Sequence, residues 1–529
     1  MIYRSPYPDV DIPDIPVQDF LFQHAAKYSD KAALIDGPTG RTLTYGELVA
    51  SVRRTAAGLA GRGFGKGDVL AIYSPNVPEY AIAFFAVATA GGINTTVNPL
   101  YRADELNRQL LGSGATFLVT VPQCLDKATQ AIAGTSVREI FVFGDADGAT
   151  PFAALADGDE PPPTIEINPR EDLVALPYSS GTTGLPKGVM LTHHNLVSNL
   201  CQTHSVEQLS ENEVLIGILP FYHIYGMVVI MSGALRAGAT IVTMPRFDLE
   251  QFLELLQTHA VTMAYLVPPI VLALAKHPLV DNYDITALKN ILSGAAPLPE
   301  PVAKACIDRH GLMLRQGYGL TETSPVTHAN GKDREIKHDS VGVALPNTEY
   351  RIVDLTTGAD ADSDAVGEVW IRGPQVMKGY LNNPEATNDM LDADGWLHTG
   401  DIGRADADGY LFVVDRVKEL IKYKGLQVAP AELESVIQAH PAVADVAVIP
   451  VPDVEAGEIP KAYVVQIPNV AVTAEAIMAY VADRVAPHKK VRAVECIDAI
   501  PKVASGKILR RELRDRERAA REGARPGSV

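Results

Sequence analysis

Leu176-Pro177-Tyr178-Ser179-Ser180-Gly181-Thr182-Thr183-Gly184-Leu185-Pro186-Lys187-Gly188-Val189 is the stretch from which the rest of the chain can be read. Apolar residues 173–176 precede it and another apolar run, 189–191, follows, so a loop between two strands is expected. A turn so dense in glycines leaves backbone N–H groups uncovered, the Ser and Thr hydroxyls add donors, and Lys187 adds a compact positive charge. Together they form a cradle for phosphate oxygens. It is not a Walker A loop, which sets Gly-Lys-Ser/Thr after four spacer residues. An ordinary Gly/Ser surface loop is the plain alternative, but it gives no reason for so long an ordered run closing on a lysine between proline and glycine.

Outward from this loop, strand-like and helix-like segments alternate over the first 145 residues. Thr44 and Glu47 form a capping box. Leu48, Val52, Ala56 and Leu59 then share one helical face, and Gly61 marks the stop. Residues 69–73 read as a short buried strand, and Pro78 opens a helix that ends at Gly91-Gly92. Residues 93–97 and 117–121 are further strands, separated by a polar helix at 103–111. This alternation predicts layered α/β structure with a parallel sheet. Residues 145–170, rich in Asp, Gly and Pro, read as a surface connection, and a second α/β stretch covers about 172–326. After Val341 short strands such as 349–353 and 367–371 suit a β-rich subdomain near 341–415. Residues 431–501 run helix, strand, strand, helix, strand, the order of a small α+β domain. The expected architecture is α/β plus a β-rich subdomain: a large N-terminal domain, 1–415, and a small mobile C-terminal domain, 416–529, with the boundary near Asp415-Arg416.

The bulk properties agree. A chain of 529 residues is too long for one core, so two to four domains are expected. Hydrophobic residues at 47% and charged residues at 21% exclude a disordered chain. No apolar run reaches bilayer length; residues 80–90 suit a core helix. The N-terminus shows no signal pattern and the C-terminus no Ser-Lys-Leu address, so a soluble cytoplasmic protein, monomer or weak dimer, is expected. Cys124, Cys201, Cys306 and Cys496 form no CxxC pair, which leaves buried free thiols rather than zinc ligands or disulfides. The net charge of −18 disfavours nucleic acid as a partner. From Arg416 onward 18 basic residues face 15 acidic ones, whereas residues 1–415 hold 28 against 49. On charge alone, a basic lid for an anionic ligand and a basic frayed tail are equal readings.

Further motifs follow in order. They are Leu219-Pro220-Phe221-Tyr222-His223-Ile224-Tyr225-Gly226, Gln316-Gly317-Tyr318-Gly319-Leu320-Thr321-Glu322, Gly367-Glu368-Val369-Trp370-Ile371-Arg372-Gly373, Gly395-Trp396-Leu397-His398-Thr399-Gly400-Asp401, the run from Asp415-Arg416-Val417-Lys418 through Lys422-Tyr423-Lys424-Gly425, and Ser505-Gly506-Lys507. With the glycine-rich loop, these segments resemble the adenylate-forming superfamily of acyl-CoA synthetases, luciferases and peptide-synthetase adenylation domains, over nearly the whole chain. Each motif alone is weak; six in register are specific.

Each residue has an ordinary explanation beside the functional one. Asp401, backed by Arg416, suits two ribose hydroxyls, or is a surface Asp in a Gly-Asp turn. Tyr318 between Gly317 and Gly319 lies against adenine, or is a core tyrosine. Glu322, with Thr182 or Thr183, is the candidate Mg²⁺ ligand, or a helix-capping glutamate. His223 alone reads as a core histidine, and Lys507 as a solvated lysine.

The resemblance implies the functional member of each pair. Ser179, Ser180, Gly181, Thr182, Thr183, Gly184 and Lys187 would bind the phosphates; Ala296, Gln316, Gly317, Tyr318, Gly319 and Thr321 the adenine side; Asp401 and Arg416 the ribose. His223 would position carboxylate and α-phosphate, and Lys507 would bridge them. Lys422 would serve thioester formation, Lys424 and Gly425 would contact CoA, and Val417-Lys418 would be the hinge. The basic C-terminal segment then reads as the lid. On an extended strand, Lys418 and Lys422 would share a face.

The implied chemistry has two steps: a carboxylate attacks the ATP α-phosphorus and pyrophosphate leaves, then CoA attacks the acyl adenylate and AMP leaves. An adenylation domain serving a carrier protein is less apt, because residues 219–230 lack the acid expected for an α-ammonium group. A non-catalytic nucleotide-binding protein would be expected to lose Lys507 or Glu322. Within the superfamily the resemblance runs to 4-coumarate–CoA ligases and their bacterial relatives, which implies an acyl pocket of Ile224, Tyr225, Ala296, Gly317, Pro325 and Val326 for an aryl-propenoate. Val229 stands where some plant relatives carry a small polar residue, so cinnamate and medium- or long-chain fatty acids are alternative substrates.

Overall fold

The computed structural model describes all residues except 159, 180–185, 425, 454, 469, 471, 504, 505, 507 and 524–529. Ile93–Val97, Val69–Tyr73, Phe117–Thr120, Glu139–Val142 and Thr150–Pro151 lie side by side as parallel strands. The sheet then extends through Leu173–Ala175 to Lys187–Thr192, which runs antiparallel. The strand before the glycine-rich loop is broken. Pro177 has no N–H to donate, so Leu173–Ala175 stops short of it and Tyr178–Ser179 resumes beyond it as an arm pairing Ser179 with Lys187. Tyr178–Ser179 and Lys187–Thr192 therefore lie at the edge of this sheet, on either side of the glycine-rich stretch.

The helices on this layer follow their sequence signals. Tyr45–Gly61 starts with the Thr44/Glu47 capping box and buries Leu48, Val52, Ala56 and Leu59. Glu79–Thr89 is apolar almost all round and lies deep in the core, where a helix with no polar face is expected to be. Ala103–Ser113 ends on a left-handed Gly114. Residues 145–170 are not purely a surface connection. Phe152 and Leu155 are buried, with Phe152 edge-on to Phe143 at 4.9 Å, so a short 3₁₀ turn, Phe152–Ala156, is anchored within the Asp/Gly/Pro-rich stretch.

A second sheet holds parallel strands Met313–Gly319, Asn290–Ser293, Met263–Leu266, Val214–Gly217, Thr240–Thr243 and Ala32–Asp36, with Val326–Ala329 turning back antiparallel at one end. The third is antiparallel: Ile2–Arg4, Glu349–Val353, Gly367–Arg372, Leu397–Ala405 and Leu411–Arg416. Its N-terminal edge strand has only three residues and no readable periodicity; its place is set by its partner, with Tyr3 stacked on Tyr350 at 4.9 Å.

The fourth sheet, after Arg416, is built on the long antiparallel pair Val443–Asp453 and Gly457–Gln466. Pro430–Gln438 and Ala474–Ala482 supply Leu433, Ile437, Ile477 and Val481 to the core on one face. Arg510–Gly523 brings Leu513 to the other. That last helix is docked rather than frayed: Arg510 pairs with Glu434 and Arg514 with Glu419.

Two expectations are corrected here. Lys418 and Lys422 do not share an extended strand. The chain turns at 417–419, with Glu419 and Leu420 N–H groups both donating to the Arg416 carbonyl, and only Lys422 lies in the strand Ile421–Tyr423. Of the cysteines, Cys306 is buried and Cys124 and Cys201 are partly so, but Cys496 is exposed at the edge of the fourth sheet.

Candidate active site

One continuous cleft of about 1670 Å³ runs between the layers and under the C-terminal sheet, and most of the residues singled out above line it. The hairpin carrying Ser179 and Lys187 forms one wall. Gly379–Tyr380 pairs with Lys187–Thr192 and sets the Tyr380 ring beneath Lys187 Nζ, 5.0 Å from the ring centroid. Ser180, Gly181, Thr182, Thr183 and Gly184 lie outside the described residues.

Glu322 faces this hairpin. Ser179 Oγ and the Tyr380 hydroxyl each donate to its Oε1 at 2.8 Å, while the Met377 N–H donates to its backbone carbonyl. The tight turn Thr321–Thr323 is capped by Thr323, whose Oγ1 accepts the Leu320 N–H at 2.9 Å. The carboxylate of Glu322 is thus free of the capping role. Burial, with Glu322 adding to it, keeps the Tyr380 phenol protonated as a donor. Among the described residues no cluster of three or more His, Cys, Asp or Glu side chains forms a metal cage. A single carboxylate beside the paired Ser179 and Lys187 is the donor set that suits Mg²⁺ held mainly by a nucleotide and water.

The opposite wall is the strand Met313–Gly319 with its return, Val326–Ala329. Gly319 is needed for a packing reason: a Cβ there would meet the Pro325 carbonyl oxygen at 2.0 Å. Gln316 lines the cleft but spends both ends of its amide on the fold. Its Oε1 accepts the Leu298 N–H, and its Nε2 donates to the Leu298 and His338 carbonyls. It clamps the wall segment that carries Ala296, and its Oε1 keeps one further acceptor position.

Asp401 projects from the antiparallel sheet, 3% exposed. Tyr318 donates through its hydroxyl to Oδ2 at 2.6 Å, and Arg416 through Nε to Oδ1 at 2.9 Å. Asp401 and Arg416 are directly opposite each other in neighbouring strands, so the ladder itself sets the pair. Burial and the adjacent carboxylate raise the Tyr318 phenol well above its ordinary range, and Asp401 raises Arg416. Each carboxylate oxygen keeps acceptor capacity beyond these bonds.

His223 lies in the loop between Val214–Gly217 and the helical segment Tyr225–Ser232. Its Nδ1 accepts the Tyr225 N–H at 3.3 Å. Asn76 holds this loop, donating to the Gly217 and Leu219 carbonyls at 2.8 Å and accepting the Phe221 N–H. Sequence reasoning missed Asn76, whose only signal is the Ser-Pro-Asn turn after Val69–Tyr73. Ile224, Tyr225, Ala296, Gly317, Pro325 and Val326 all line the cleft. The Tyr225 hydroxyl donates to the Leu292 carbonyl at 3.2 Å, and its ring passes 3.1 Å from where a Cβ on Gly294 would sit.

The C-terminal sheet covers the mouth. Val503, Gly506 and Ile508 line the cleft, and Gly506 sits so near Pro269 and Val267 that a Cβ would lie 3.2 and 3.4 Å from them. Thr321, Val417 and Lys418 also line it. Lys507 and Gly425 lie outside the described residues. Lys422 and Lys424 are exposed and do not line the cleft; Lys424 pairs with Glu455 at 2.6 Å. Just before the turn, the Asp415 carboxylate accepts the Ala431 N–H at 2.7 Å, tying the last strand of the third sheet to the start of Pro430–Gln438.

Residues 21–381 match the family model of the AMP-binding enzyme, and residues 432–507 match that of the AMP-binding enzyme C-terminal domain. The chain belongs to the adenylate-forming family of AMP-binding enzymes. It is 45% identical over 524 residues to 4-coumarate–CoA ligase 5 of Oryza sativa subsp. japonica, with 97% of each chain covered. It is 44% identical over 527 residues to 4-coumarate–CoA ligase 1 of Petroselinum crispum, covering 98% of this chain and 97% of that one. Among solved structures, that of the anthranilate CoA ligase AuaEII in complex with anthranoyl-AMP superposes with a TM-score of 0.89 at 25% identity, over 97% of this chain and 99% of that one. The protein is an ATP-dependent acid–CoA ligase, with a carboxylic acid, ATP and CoA as substrates.

Proposed function

We propose that the acid is an aryl-propenoate of the 4-coumarate or cinnamate type. What supports this most is the part of the cleft wall where the Tyr225 ring is pinned through Leu292 and packs against Gly294, with Gly317 also in the wall. A fixed aromatic face beside glycines suits a planar ring. The relatives named above are called 4-coumarate–CoA ligases, which points the same way. Formation of AMP and acyl-CoA across cinnamates, benzoates and medium- and long-chain fatty acids tests it. A preference for fatty acids would remove the aryl-propenoate reading and leave the ligase intact.

In the proposed reaction the acid's carboxylate attacks the α-phosphorus of ATP and pyrophosphate leaves. Lys187 and the amides of the glycine-rich loop stabilise charge on the phosphate oxygens, His223 positions the carboxylate, and Asp401, held by Arg416 and Tyr318, takes the ribose hydroxyls. Mg²⁺, held by Glu322 and Thr182, would neutralise phosphate charge. Lys507 bridges carboxylate and phosphate in this step. Domains 1–415 and 416–529 then rotate about Val417-Lys418, withdrawing Lys507 and bringing Lys422, Lys424 and Gly425 toward the site. CoA thiolate attacks the acyl carbonyl and AMP leaves. The docked Gly506 and the outward Lys422 fit the first of these two arrangements. We place the enzyme in the cytoplasm as a monomer or weak dimer; light scattering on the purified protein checks the latter.

A further inference from the structure

Beyond Tyr225 the cleft does not end in a uniformly apolar wall. Arg315, from Met313–Gly319, is fully buried and meets Glu207, the last residue of His193–Glu207, in a two-pronged pair: Nη1 to Oε1 at 2.6 Å and Nη2 to Oε2 at 2.8 Å. Nη1 also donates to the Asn330 carbonyl at 2.9 Å. Glu207 lines the cleft and Arg315 stands behind it. Around them are Val206, Val229, Leu345 and two tyrosines. Tyr225 has spent its hydroxyl on Leu292, but Tyr265, edge-on to it at 6.2 Å and 1% exposed, has not. Its hydroxyl has no hydrogen-bond partner among the described residues, and neither has Arg315 Nε.

Buried polar groups are nearly always satisfied, and Tyr265, whose hydroxyl is not, is a residue that lines the cleft. We propose that the Tyr265 hydroxyl, with the Glu207–Arg315 pair, binds a hydroxyl at the far end of the acid. The proposal rests on the aryl-propenoate reading and narrows it to a ring-hydroxylated acid. Burial first, and then Glu207, keep the Tyr265 phenol protonated, so it can donate to or accept from the incoming hydroxyl. An alkyl tail would strip water from these groups and return no hydrogen bond, which is the arrangement that discriminates most sharply against an analogue lacking the polar group. The hydroxyl recognition that Val229 does not supply would thus come from the strand Met263–Leu266 instead.

The test is kcat/KM for 4-coumarate, cinnamate and octanoate with the wild type and with Tyr265→Phe, with thermal melting to confirm that the variant folds. The wild type is expected to favour 4-coumarate over cinnamate by about tenfold or more. Tyr265→Phe should abolish most of that ratio, with the cinnamate value held within about twofold. Equal use of 4-coumarate and cinnamate by the wild type overturns the proposal without the variant, as does an unchanged ratio in Tyr265→Phe. If octanoate is preferred to both, the aryl-propenoate reading itself fails.

Discussion

Tyr318 donates its phenol hydrogen to Asp401 Oδ2 across 2.6 Å, and this bond joins two sheets. Tyr318 belongs to the mainly parallel second sheet and Asp401 to the antiparallel third, so the carboxylate proposed for the ribose is aimed from both sides, with Arg416 on its other oxygen. Hydrogen bonds to charged groups contribute about 1.5–3 kcal/mol, and about 1.4 kcal/mol is tenfold in affinity.

Tyr318→Phe removes that donor and little else. The KM for ATP in acid-dependent pyrophosphate exchange should rise about tenfold, with kcat falling less. An ATP KM unchanged in the variant would mean that Arg416 alone fixes Asp401.

Glu322→Gln keeps an oxygen for Ser179 and Tyr380 but loses the charge offered to a cation. The melting temperature should change by no more than a few degrees, as for a loss of about 1 kcal/mol. The Mg²⁺ concentration for half-maximal adenylate formation should rise about tenfold or more. A Mg²⁺ titration that superposes on the wild type would remove Glu322 from the metal's ligands.

His193 provides a pH dependence. It opens the helix His193–Glu207, accepts the Val17 N–H on Nδ1 at 3.1 Å, and is 1% exposed. Burial pushes its imidazole down to about 4. The folded state therefore refuses a proton that the unfolded chain accepts below about 6.5, so this contribution is present above that pH and is lost as pH falls toward 4. Between about pH 7 and pH 5 the loss comes to roughly 2 kcal/mol. His193→Asn, which keeps an acceptor for Val17, should show a difference in unfolding free energy between these pH values, read from urea titrations, smaller by that amount. Equal differences in both proteins would place the acid sensitivity elsewhere.

Much of this site was legible because its chemistry is written in short contiguous motifs. Ser179, Lys187, Tyr318, Glu322 and Asp401 each sit in one, and the capping box at Thr44 and the strand–helix alternation gave the layers that carry them. What stayed hidden depends on residues distant in sequence. Tyr380 meets Glu322 only because a two-residue strand pairs with Lys187–Thr192. Glu207 and Arg315 stand 108 positions apart and read singly as a helix-end acid and a strand base. Gln316 lay inside a recognised motif, yet its role in the wall follows from Leu298 and His338, which no local pattern connects to it.

The two lysines proposed for the two half-reactions are separable by experiment. Gly506 is docked on Pro269 and Val267 at the mouth of the cleft, whereas Lys422 is exposed on a strand that does not line it, its N–H donating to Glu458 at 2.7 Å. Lys507→Ala should therefore lower adenylate formation, read as pyrophosphate release before CoA is added, by about a hundredfold or more. Lys422→Ala should leave that step within about twofold and slow conversion of preformed adenylate to the thioester by about tenfold or more. Equal loss of both steps in Lys422→Ala would contradict a C-terminal domain that presents different faces in turn. Full adenylate synthesis by Lys507→Ala would remove that residue from the first step. Single-turnover measurement of each half-reaction is needed, because the overall rate reports only the slower one.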